Sequence, residues 1–263
     1  MAGFTFSYSE MDPIVQVPTA SKTLLHISDS KFYDNNGGGF HFQLLDIYSY
    51  AKYQVIIKNC SLKRNVNPAG SGFDIFHTSV ISSKSDIEVL VQDTSFTNHN
   101  IVIPEPISLK QIVYQINVFT VKNFRHVKII NCTFAMNTQT ALHAFDSTLY
   151  FGGHVIFSGN NGMFGGALML QGGSKIYLMP DTHVQIINNH AKRGGGIYID
   201  DKDIINVSPC FFQLMDLHYP YSEIDSVITL ENNTADEAGW RTNRQLLSLC
   251  QHSADYTWIP KCI

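Results

Sequence analysis

Three carboxylates, Asp200, Asp201 and Asp203, stand close together in the sequence. Paired carboxylates do the acid and base work of most glycoside hydrolases, so this cluster is the best catalytic candidate in the chain. The competing interpretation is a solvated loop that ends a strand at 194–199. We favour the loop, because no partner base or substrate-binding arginine cluster recurs along one face. The sequence therefore predicts no catalytic residue beyond these three weak candidates.

Histidine supplies the next possible chemistry, since imidazole binds metal ions and transfers protons. The chain contains 11 histidines, and His41, His77 and His143 each lie in a strand region near an expected turn. They could stack on one face and bind a metal ion. However, no HxH or HExxH spacing occurs, and the sequence contains no Walker, dinucleotide, GxSxG or calcium-loop motif. We therefore expect structural or surface roles for these histidines, with no metal site and no cofactor.

Two of the five cysteines occupy equivalent positions. Cys60 lies in Asn-Cys-Ser-Leu and Cys132 in Asn-Cys-Thr-Phe, and Thr94 takes that position in the segment between them. If the three segments stack as neighbouring strands, the two cysteines are roughly 9–10 Å apart, which is too far for a disulfide. We expect both thiols to be free and buried.

The other cysteines favour a secreted protein when they are taken together with the glycosylation sequons. Cys210 and Cys250 flank the last copy of the repeat described below and are the preferred disulfide, whereas Cys262 pairs with a missing segment or stays free. The predicted N-glycosylation sites are Asn59, Asn131, Asn206 and Asn232. The expected location is extracellular or at the cell surface.

Composition narrows the range of partners. Charged residues make up 15% of the chain and the net charge is −4. No basic stripe with interleaved aromatic residues occurs, so we expect no nucleic acid partner. No run of about 18 apolar residues occurs, so no transmembrane segment is predicted. The N-terminus does not resemble a signal peptide, so a secreted chain of this sequence is expected to be a fragment or an incomplete gene model.

The element that must position these side chains is an internal repeat. A bulky apolar residue is followed, after two spacers, by asparagine, and a seventh copy has His99 in place of asparagine. The apolar residues stand at 32, 62, 96, 134, 157, 186 and 230, so successive copies are 30, 34, 38, 23, 29 and 44 residues apart. The repeated asparagines are Asn35, Asn65, Asn137, Asn160, Asn189 and Asn233.

Glycine clusters follow several of these copies and lead into short alternating strands. The glycines given a structural role are Gly38, Gly39, Gly165, Gly166, Gly195 and Gly196. With the FxxN copies, these clusters resemble the repeats of chlamydial polymorphic outer-membrane proteins and of related uncharacterised β-helical proteins of animals and protists. The resemblance is strongest over 129–239 and visible back to Phe32. Two features depart from the bacterial family: its β-barrel translocator is missing, and Trp240-Arg241-Thr242 replaces the last glycine cluster.

The resemblance and the strand pattern both predict an all-β fold, a single-stranded right-handed parallel β-helix or solenoid. Short β-branched runs at 55–57, 87–91, 127–130, 184–187 and 227–230 suit strands with one buried face. The apolar residues of the repeat are expected to point inward. Each asparagine is expected at a turn, in a ladder of side-chain hydrogen bonds, where it tolerates the left-handed conformation. The glycines are expected at the opposite corner.

The expected organisation has three parts. Residues 1–23 form an N-terminal segment or cap, 24–240 form the β-helical repeats, and 241–263 form a C-terminal cap or tail in which 244–249 could make one helical turn. Residues 100–125 break the repeat spacing and are a possible loop insertion. Such an insertion is where a partner would bind.

The resemblance implies a function at a surface, because the bacterial relatives act as surface adhesins. The leading hypothesis is a non-enzymatic extracellular or cell-surface module for adhesion, or for interaction with an unidentified surface protein or glycan. The alternative is a polysaccharide lyase or glycoside hydrolase on the same scaffold, which requires a groove with clustered acidic and basic side chains. A third possibility is a truncated fragment without independent activity.

Overall fold

The computed structural model describes residues 5–7, 14–16, 22–35, 40–44, 52–65, 73–77, 87–100, 117–200, 212–214, 227–237, 248–252 and 258–262. Within these ranges the regular structure consists of 27 strands and no helix, which confirms the expected all-β class. Accordingly, no helix among the described residues could cross a membrane. The helical turn expected at 244–249 is wrong at its end, because Ser248 and Leu249 lie in a strand.

The strands form three large sheets and one small sheet. Sheet A contains β1 (Thr5–Ser7), β4 (Lys31–Tyr33), β7 (Ser61–Lys63), β10 (Ser95–Thr97), β13 (Thr133–Ala135), β16 (His154–Ser158), β20 (His183–Ile187) and β24 (Val227–Glu231). Sheet B contains β2 (Ile14–Gln16), β5 (Phe40–Leu44), β8 (Phe73–His77), β11 (Asn117–Lys122), β14 (Thr140–Phe145), β18 (Leu168–Gln171) and β22 (Ile197–Asp200).

Sheet C is the longest of the four. It contains β3 (Lys22–Ser28), β6 (Lys52–Lys58), β9 (Ile87–Gln92), β12 (Val127–Ile130), β15 (Thr148–Gly152), β19 (Lys175–Leu178), β23 (Phe212–Leu214), β26 (Ser248–His252) and β27 (Trp258–Cys262). Sheet D contains β17 (Asn161–Phe164), β21 (His190–Arg193) and β25 (Thr234–Glu237).

The chain visits these sheets in a fixed order. β1, β2 and β3 belong to sheets A, B and C in turn, and the same order continues through β15. From β16 onwards, a strand of sheet D is inserted between sheets A and B. Neighbouring strands pair in parallel throughout the described residues, except that β27 pairs antiparallel with β26. Parallel neighbours need a long crossover, and here the crossover runs through the other sheets. We call one visit to sheets A, B and C in turn, with sheet D where it occurs, a passage.

The apolar residues of the FxxN repeat lie in register across sheet A. Phe32 pairs with Leu62, Leu62 with Phe96, and Phe96 with Phe134. Phe157, Ile186 and Leu230 continue the row. The rings of Phe96, Phe134 and Phe157 stack with centroids 4.7 and 4.9 Å apart and are fully buried. Burying each such side chain contributes about 1.5–3 kcal/mol, so this row is a main part of the core.

The repeated asparagines form a ladder beside the apolar row. The backbone N–H and the Nδ2 of Asn160 both donate to Oδ1 of Asn189, at 3.0 and 2.9 Å. The second Nδ2 hydrogen of Asn160 donates to the carbonyl oxygen of Phe134 at 3.0 Å. The same side-chain to side-chain contacts link three further pairs: Asn35 to Asn65, Asn137 to Asn160, and Asn189 to Asn233. These amides are buried at every step except the last, where Asn233 is partly exposed.

The left-handed backbone conformation belongs to the residue before each ladder asparagine, not to the asparagine itself. Asp34, Arg64, Asn98, Met136, Gly159, Asn188 and Asn232 all have φ between +51° and +63°. This corrects the expectation that the ladder asparagine occupies that conformation. The preceding residue turns the backbone, so the asparagine is free to point its amide inward.

The glycine corner is set by close backbone approach. Gly165 has a φ of +62°, and a Cβ on it would lie 2.0 Å from the carbonyl oxygen of Leu168. A Cβ on Gly166 would lie 2.6 Å from the carbonyl oxygen of His190. No side chain fits at either position without a shift of the backbone. Gly195 and Gly196 lie in the equivalent corner of the next passage, whereas Gly38 and Gly39 are outside the described residues.

The segment 100–125, which breaks the repeat spacing, contains one regular strand. Asn117–Lys122 form β11, which pairs in parallel with β8 and β14 in sheet B. Val118, Phe119 and Val121 are fully buried. A loop insertion therefore does not extend over 117–122, and residues 101–116 lie outside the described residues.

His99 takes the place of an asparagine in the ladder. Its backbone N–H donates to Oδ1 of Asn137 at 3.0 Å, as an asparagine would. Its Nε2 lies 3.1 Å from the carbonyl oxygen of Leu62, and its Nδ1 lies 3.2 Å from that of Asn65. Burial lowers the pKa of His99 to about 4, although the two carbonyl contacts act in the other direction. A neutral imidazole carries one N–H and satisfies only one of these contacts, so His99 is a weak point of the ladder.

Replacing Asn160 with alanine is expected to destabilise the fold by about 1–3 kcal/mol, because the buried N–H of Asn137 loses its acceptor. Urea denaturation measures the change in unfolding free energy. Asn161→Ala is the matched control, since this neighbouring asparagine is exposed and should contribute less than about 0.5 kcal/mol. Equal effects of the two substitutions would contradict the ladder.

His99→Asn should remove a pH dependence. Because the pKa of His99 is lowered from 6.5 to about 4, the unfolded chain takes up a proton in this range and the folded chain does not. The free energy of unfolding therefore has its full value above about pH 6.5 and decreases as the pH falls towards 4. Between these limits the wild type should lose about 3 kcal/mol more unfolding free energy than the variant, measured by denaturation at several pH values. The control is His154→Asn, which changes an exposed histidine; an unchanged pH profile in His99→Asn would refute the assignment.

Candidate interaction surface

The predicted catalytic carboxylates are not brought together within the described residues. Asp200 is the last residue of β22, in register with Gln171 of β18. Its side chain lies outside the description, as do Asp201 and Asp203. The catalytic hypothesis for these three residues therefore has no geometric support and remains a prediction.

The three histidines singled out from the sequence do not converge. His41 and His143 lie in one row of sheet B with Asp74 and Thr120 between them, which separates them by about 14 Å. His77 pairs with Leu44 in another row. No group of three or more His, Cys, Asp or Glu residues among the described residues could hold a metal ion.

His143 belongs to a buried polar network on the outer side of sheet B. Asn117 Nδ2 lies 3.1 Å from His143 Nδ1, and His143 Nε2 lies 2.8 Å from Gln171 Oε1. These two contacts fit a ring proton on Nε2, which donates to Gln171 Oε1 while Nδ1 accepts from Asn117. His143, Met169 and Gln171 occupy outward rows, yet each is at most 4% exposed. This part of the outer face of sheet B is therefore covered and offers no open surface.

The expectation of two free, buried thiols is confirmed for Cys60 and Cys132. They stack with Ser30 and Thr94 in the corner between sheets C and A, where each Cys Sγ contacts a backbone carbonyl oxygen. Burial raises the pKa of Cys60 and raises that of Cys132 to about 12. Both cysteines thus act as small core residues and not as nucleophiles.

The predicted disulfide falls outside the described side chains. Cys210 is not described, and of Cys250 and Cys262 only the strand backbone in β26 and β27 is described. Three of the four predicted glycosylation sites, Asn59, Asn131 and Asn232, are exposed and have φ between +51° and +53° at sheet corners. Asn206 lies outside the described residues. The geometry leaves the three described asparagines accessible, and their glycosylation remains a prediction.

The outer face of sheet A is mostly polar. Ser61, Ser95 and Thr133 occupy one outward row in register, and Ser95 Oγ donates to Ser61 Oγ at 3.3 Å. Ile156, Gln185 and Thr229 continue this row. Short side chains of this kind offer little apolar area to a partner.

The outer face of sheet C differs, because apolar and aromatic side chains occupy its central outward row. Ile56, Leu90, Lys128, Tyr150 and Tyr177 lie in register on five neighbouring strands, and all are partly exposed. We call this row and its outward neighbours the sheet C face; the neighbours are Leu24, Lys58, Glu88, His126, Ile130, Lys175 and Met179. Leu24 is 57% exposed, so the apolar character reaches the surface.

The two tyrosines anchor one end of the sheet C face. Their rings stack with centroids 5.3 Å apart, and His126 stacks on Tyr150 at 6.0 Å. Burial raises the pKa of both phenols, so they stay neutral donors and acceptors. A Cβ at Gly152 would contact Met179 Sδ at 3.0 Å and Ile130 Cγ1 at 3.2 Å, so these side chains close over Gly152. Apolar side chains and two phenol groups therefore lie together at this end of the sheet C face.

Charge on the sheet C face is weakly basic. Lys128 Nζ lies 2.6 Å from Glu88 Oε1, and this contact lowers the pKa of Glu88. Gln54 Nε2 also donates to Glu88. Lys58 and Lys175 add two further cations, in a chain with a net charge of −4. The face therefore differs from the whole chain in charge as well as in apolar content.

The sequence contained a signal for this face that the alternation argument missed. In the runs around Ile56, Leu90 and Ile130, the outward residue is apolar as well as its inward neighbours. A strand with one solvated face should alternate apolar with polar residues. Three neighbouring strands break this alternation, so apolar side chains lie on an outer face as well as in the core.

No protein-family model, curated protein or solved structure matches the chain. The proposed function therefore depends on the geometry of these surfaces.

Proposed function

We propose that the chain is a right-handed parallel β-helix that acts as a non-enzymatic interaction module at an extracellular or cell surface. The sheet C face is the proposed contact surface, and its partner is a surface protein or a glycan. The observation that carries the proposal is the row from Ile56 to Tyr177, in which four partly exposed apolar or aromatic side chains lie on either side of Lys128.

The order of the strands supports a β-helix. Each large sheet takes one strand from every passage, and its neighbours come from the preceding and following passages. The three sheets therefore grow together along one direction, as the stacked turns of a solenoid do. Right-handedness is inferred from the strong preference of parallel crossovers for that hand.

The engagement of the signature residues supports a structural role for them. The ladder asparagines, the stacked phenylalanines and the two described cysteines are occupied by contacts with neighbouring passages. The repeat pattern of these residues is thus explained by packing and hydrogen bonding, without a bound substrate. Function then falls to the exposed outward rows, which take no part in the ladder or in the phenylalanine stack.

The composition of the sheet C face supports binding. Interfaces are enriched in tyrosine and methionine at their centres and carry polar groups around the rim. Here Tyr150, Tyr177 and Met179 lie beside Ile130, with Lys175 and Glu88 at the margin. Half-exposed tyrosines combine a large apolar ring with a hydrogen-bonding hydroxyl, which suits both protein and glycan partners.

The alternative, a polysaccharide lyase or glycoside hydrolase, draws support from a cluster on sheet D. His190 Nδ1 lies 2.9 Å from Thr234 Oγ1, and His190 Nε2 lies 3.3 Å from Asp236 Oδ1. Glu237 contacts both Lys192 and Arg193. Acid and base side chains thus lie side by side, as an enzyme of this class requires. Each carboxylate is already paired with a basic group, so strand pairing also explains the cluster.

Binding to a glycan array that includes polyuronates, and to a panel of extracellular-matrix proteins, tests the proposal. The double substitution Leu90→Ser and Tyr177→Ser should weaken binding by at least about tenfold, because it removes apolar area and one aromatic anchor. The matched control is Ile156→Ser and Ile187→Ser, which changes outward residues of sheet A. Equal loss in both variants, or no loss in the first, would overturn the sheet C face as the contact surface.

A reducing-end assay on any glycan bound in that array separates binding from cleavage. The interaction module should bind without releasing new reducing ends. Release that stops with His190→Gln or Asp236→Asn would instead establish the enzymatic alternative.

A further inference from the structure

Sheets A and D each end in a strand with one open edge. β24 is bonded to β20 alone, and β25 is bonded to β21 alone, among the described residues. Leu230 of β24 is 36% exposed, although the equivalent Ile186, Phe157 and Phe134 are fully buried. Val227 is 49% exposed. The apolar row of sheet A therefore ends with its last member partly uncovered.

Among the described residues, the asparagine ladder also stops at this edge, and the backbone N–H of Asn233 has no acceptor there. Oδ1 of Asn233 accepts from the backbone N–H and Nδ2 of Asn189, and its own Nδ2 donates to the carbonyl oxygen of Ile186 at 2.7 Å. In the preceding passages, the backbone N–H of Asn160 or Asn189 donates to the next Oδ1. No described residue offers such an acceptor to the backbone N–H of Asn233. The edge thus presents a backbone N–H that can donate to the side-chain oxygen of one more asparagine.

The charges along β25 define what an added strand must carry. On the β21 side, Asp236 contacts His190 at 3.3 Å, and Glu237 contacts Arg193 at 2.6 Å and Lys192 at 3.3 Å. In a parallel pair in register, an added strand meets the same carboxylates from the other side. Acidic residues there would be opposed by like charge, whereas lysine or arginine would be attracted. A further alanine or glycine continues the row of small residues formed by Gly162, Ala191 and Ala235.

We propose that the β24–β25 edge binds one strand of a partner chain that carries the same repeat. The required pattern is an apolar residue, two spacers, asparagine, one spacer, alanine or glycine, and then lysine or arginine. The apolar residue covers Leu230, the asparagine oxygen accepts from Asn233, and the basic residues face Asp236 and Glu237. This is β-strand addition in the parallel register of the sheets.

The same charges disfavour pairing of this edge with a second copy of itself. Glu231, Asp236 and Glu237 make it acidic, and charged side chains are a common protection of edge strands. Two copies of this edge would repel each other, so a basic strand is selected. The site is separate from the sheet C face, and the failure of either proposal leaves the other intact.

Hydrogen exchange of the intact chain, followed by NMR, tests the proposal with a synthetic peptide of residues 183–193 as the probe. Without peptide, the amides of Asn233 and Ala235 should exchange much faster than that of Ala191, which lies inside sheet D. At a peptide concentration of about ten times its Kd, their exchange should slow by about tenfold. Protection of both amides without peptide would mean that the chain covers its own edge, and this would overturn the proposal.

Reversing the charges first on the protein and then on the peptide tests whether the binding is specific. The protein variant Asp236→Lys with Glu237→Lys should bind the natural peptide about fivefold more weakly, and a peptide with Lys192→Glu and Arg193→Glu should restore binding. The control variant Asp29→Lys with Asp93→Lys makes the same change in net charge away from the edge. A peptide with Asn189→Leu should bind more weakly than the natural peptide. If neither the charge reversal nor the loss of the peptide's asparagine changed the affinity, the proposed partner would be refuted.

Discussion

An asparagine side-chain oxygen joins successive passages of the chain at every step except the one that ends at His99. Oδ1 of Asn189 accepts two hydrogen bonds from Asn160, one from the backbone and one from the side chain, in a site closed to water. Leaving a buried amide without its acceptor costs about 1–3 kcal/mol, so the two passages are held in one register. A slip of one residue would turn the phenylalanine row towards solvent. The register of sheet A in turn fixes which residues of sheet C face outward, including Tyr150 and Tyr177.

Much of this frame could be predicted from the sequence, because each signature residue has a distinct physical task. The apolar position of every FxxN copy falls in one row despite intervals between 23 and 44 residues. Cys60 and Cys132 could be placed in the same stack from their matching segments. The left-handed residue was overlooked, although five of the seven residues at that position are Asp, Asn or Gly, the types that favour positive φ.

The candidate surface was harder to predict, because it depends on pairings between distant segments. Leu90 and Tyr177 become members of one row only when five strands are in register. The burial of His143 and Met169 on the outer side of sheet B was equally hidden, since alternation alone marks them as exposed. His99 could be recognised from the sequence as a substituted ladder position. Its two ring-nitrogen contacts with backbone carbonyl oxygens could not, because they depend on the packing.

Amide exchange in the Asn189→Ala variant tests the ladder most directly. The backbone N–H of Asn160 donates to the side-chain oxygen of Asn189, whereas that of Gly159 donates to the backbone oxygen of Ile187. The variant removes only the first acceptor. NMR should therefore show faster exchange at Asn160 and retained protection at Gly159. Unchanged protection of Asn160, or equal loss at both amides, would contradict the claim that the asparagine side chains hold successive passages in register.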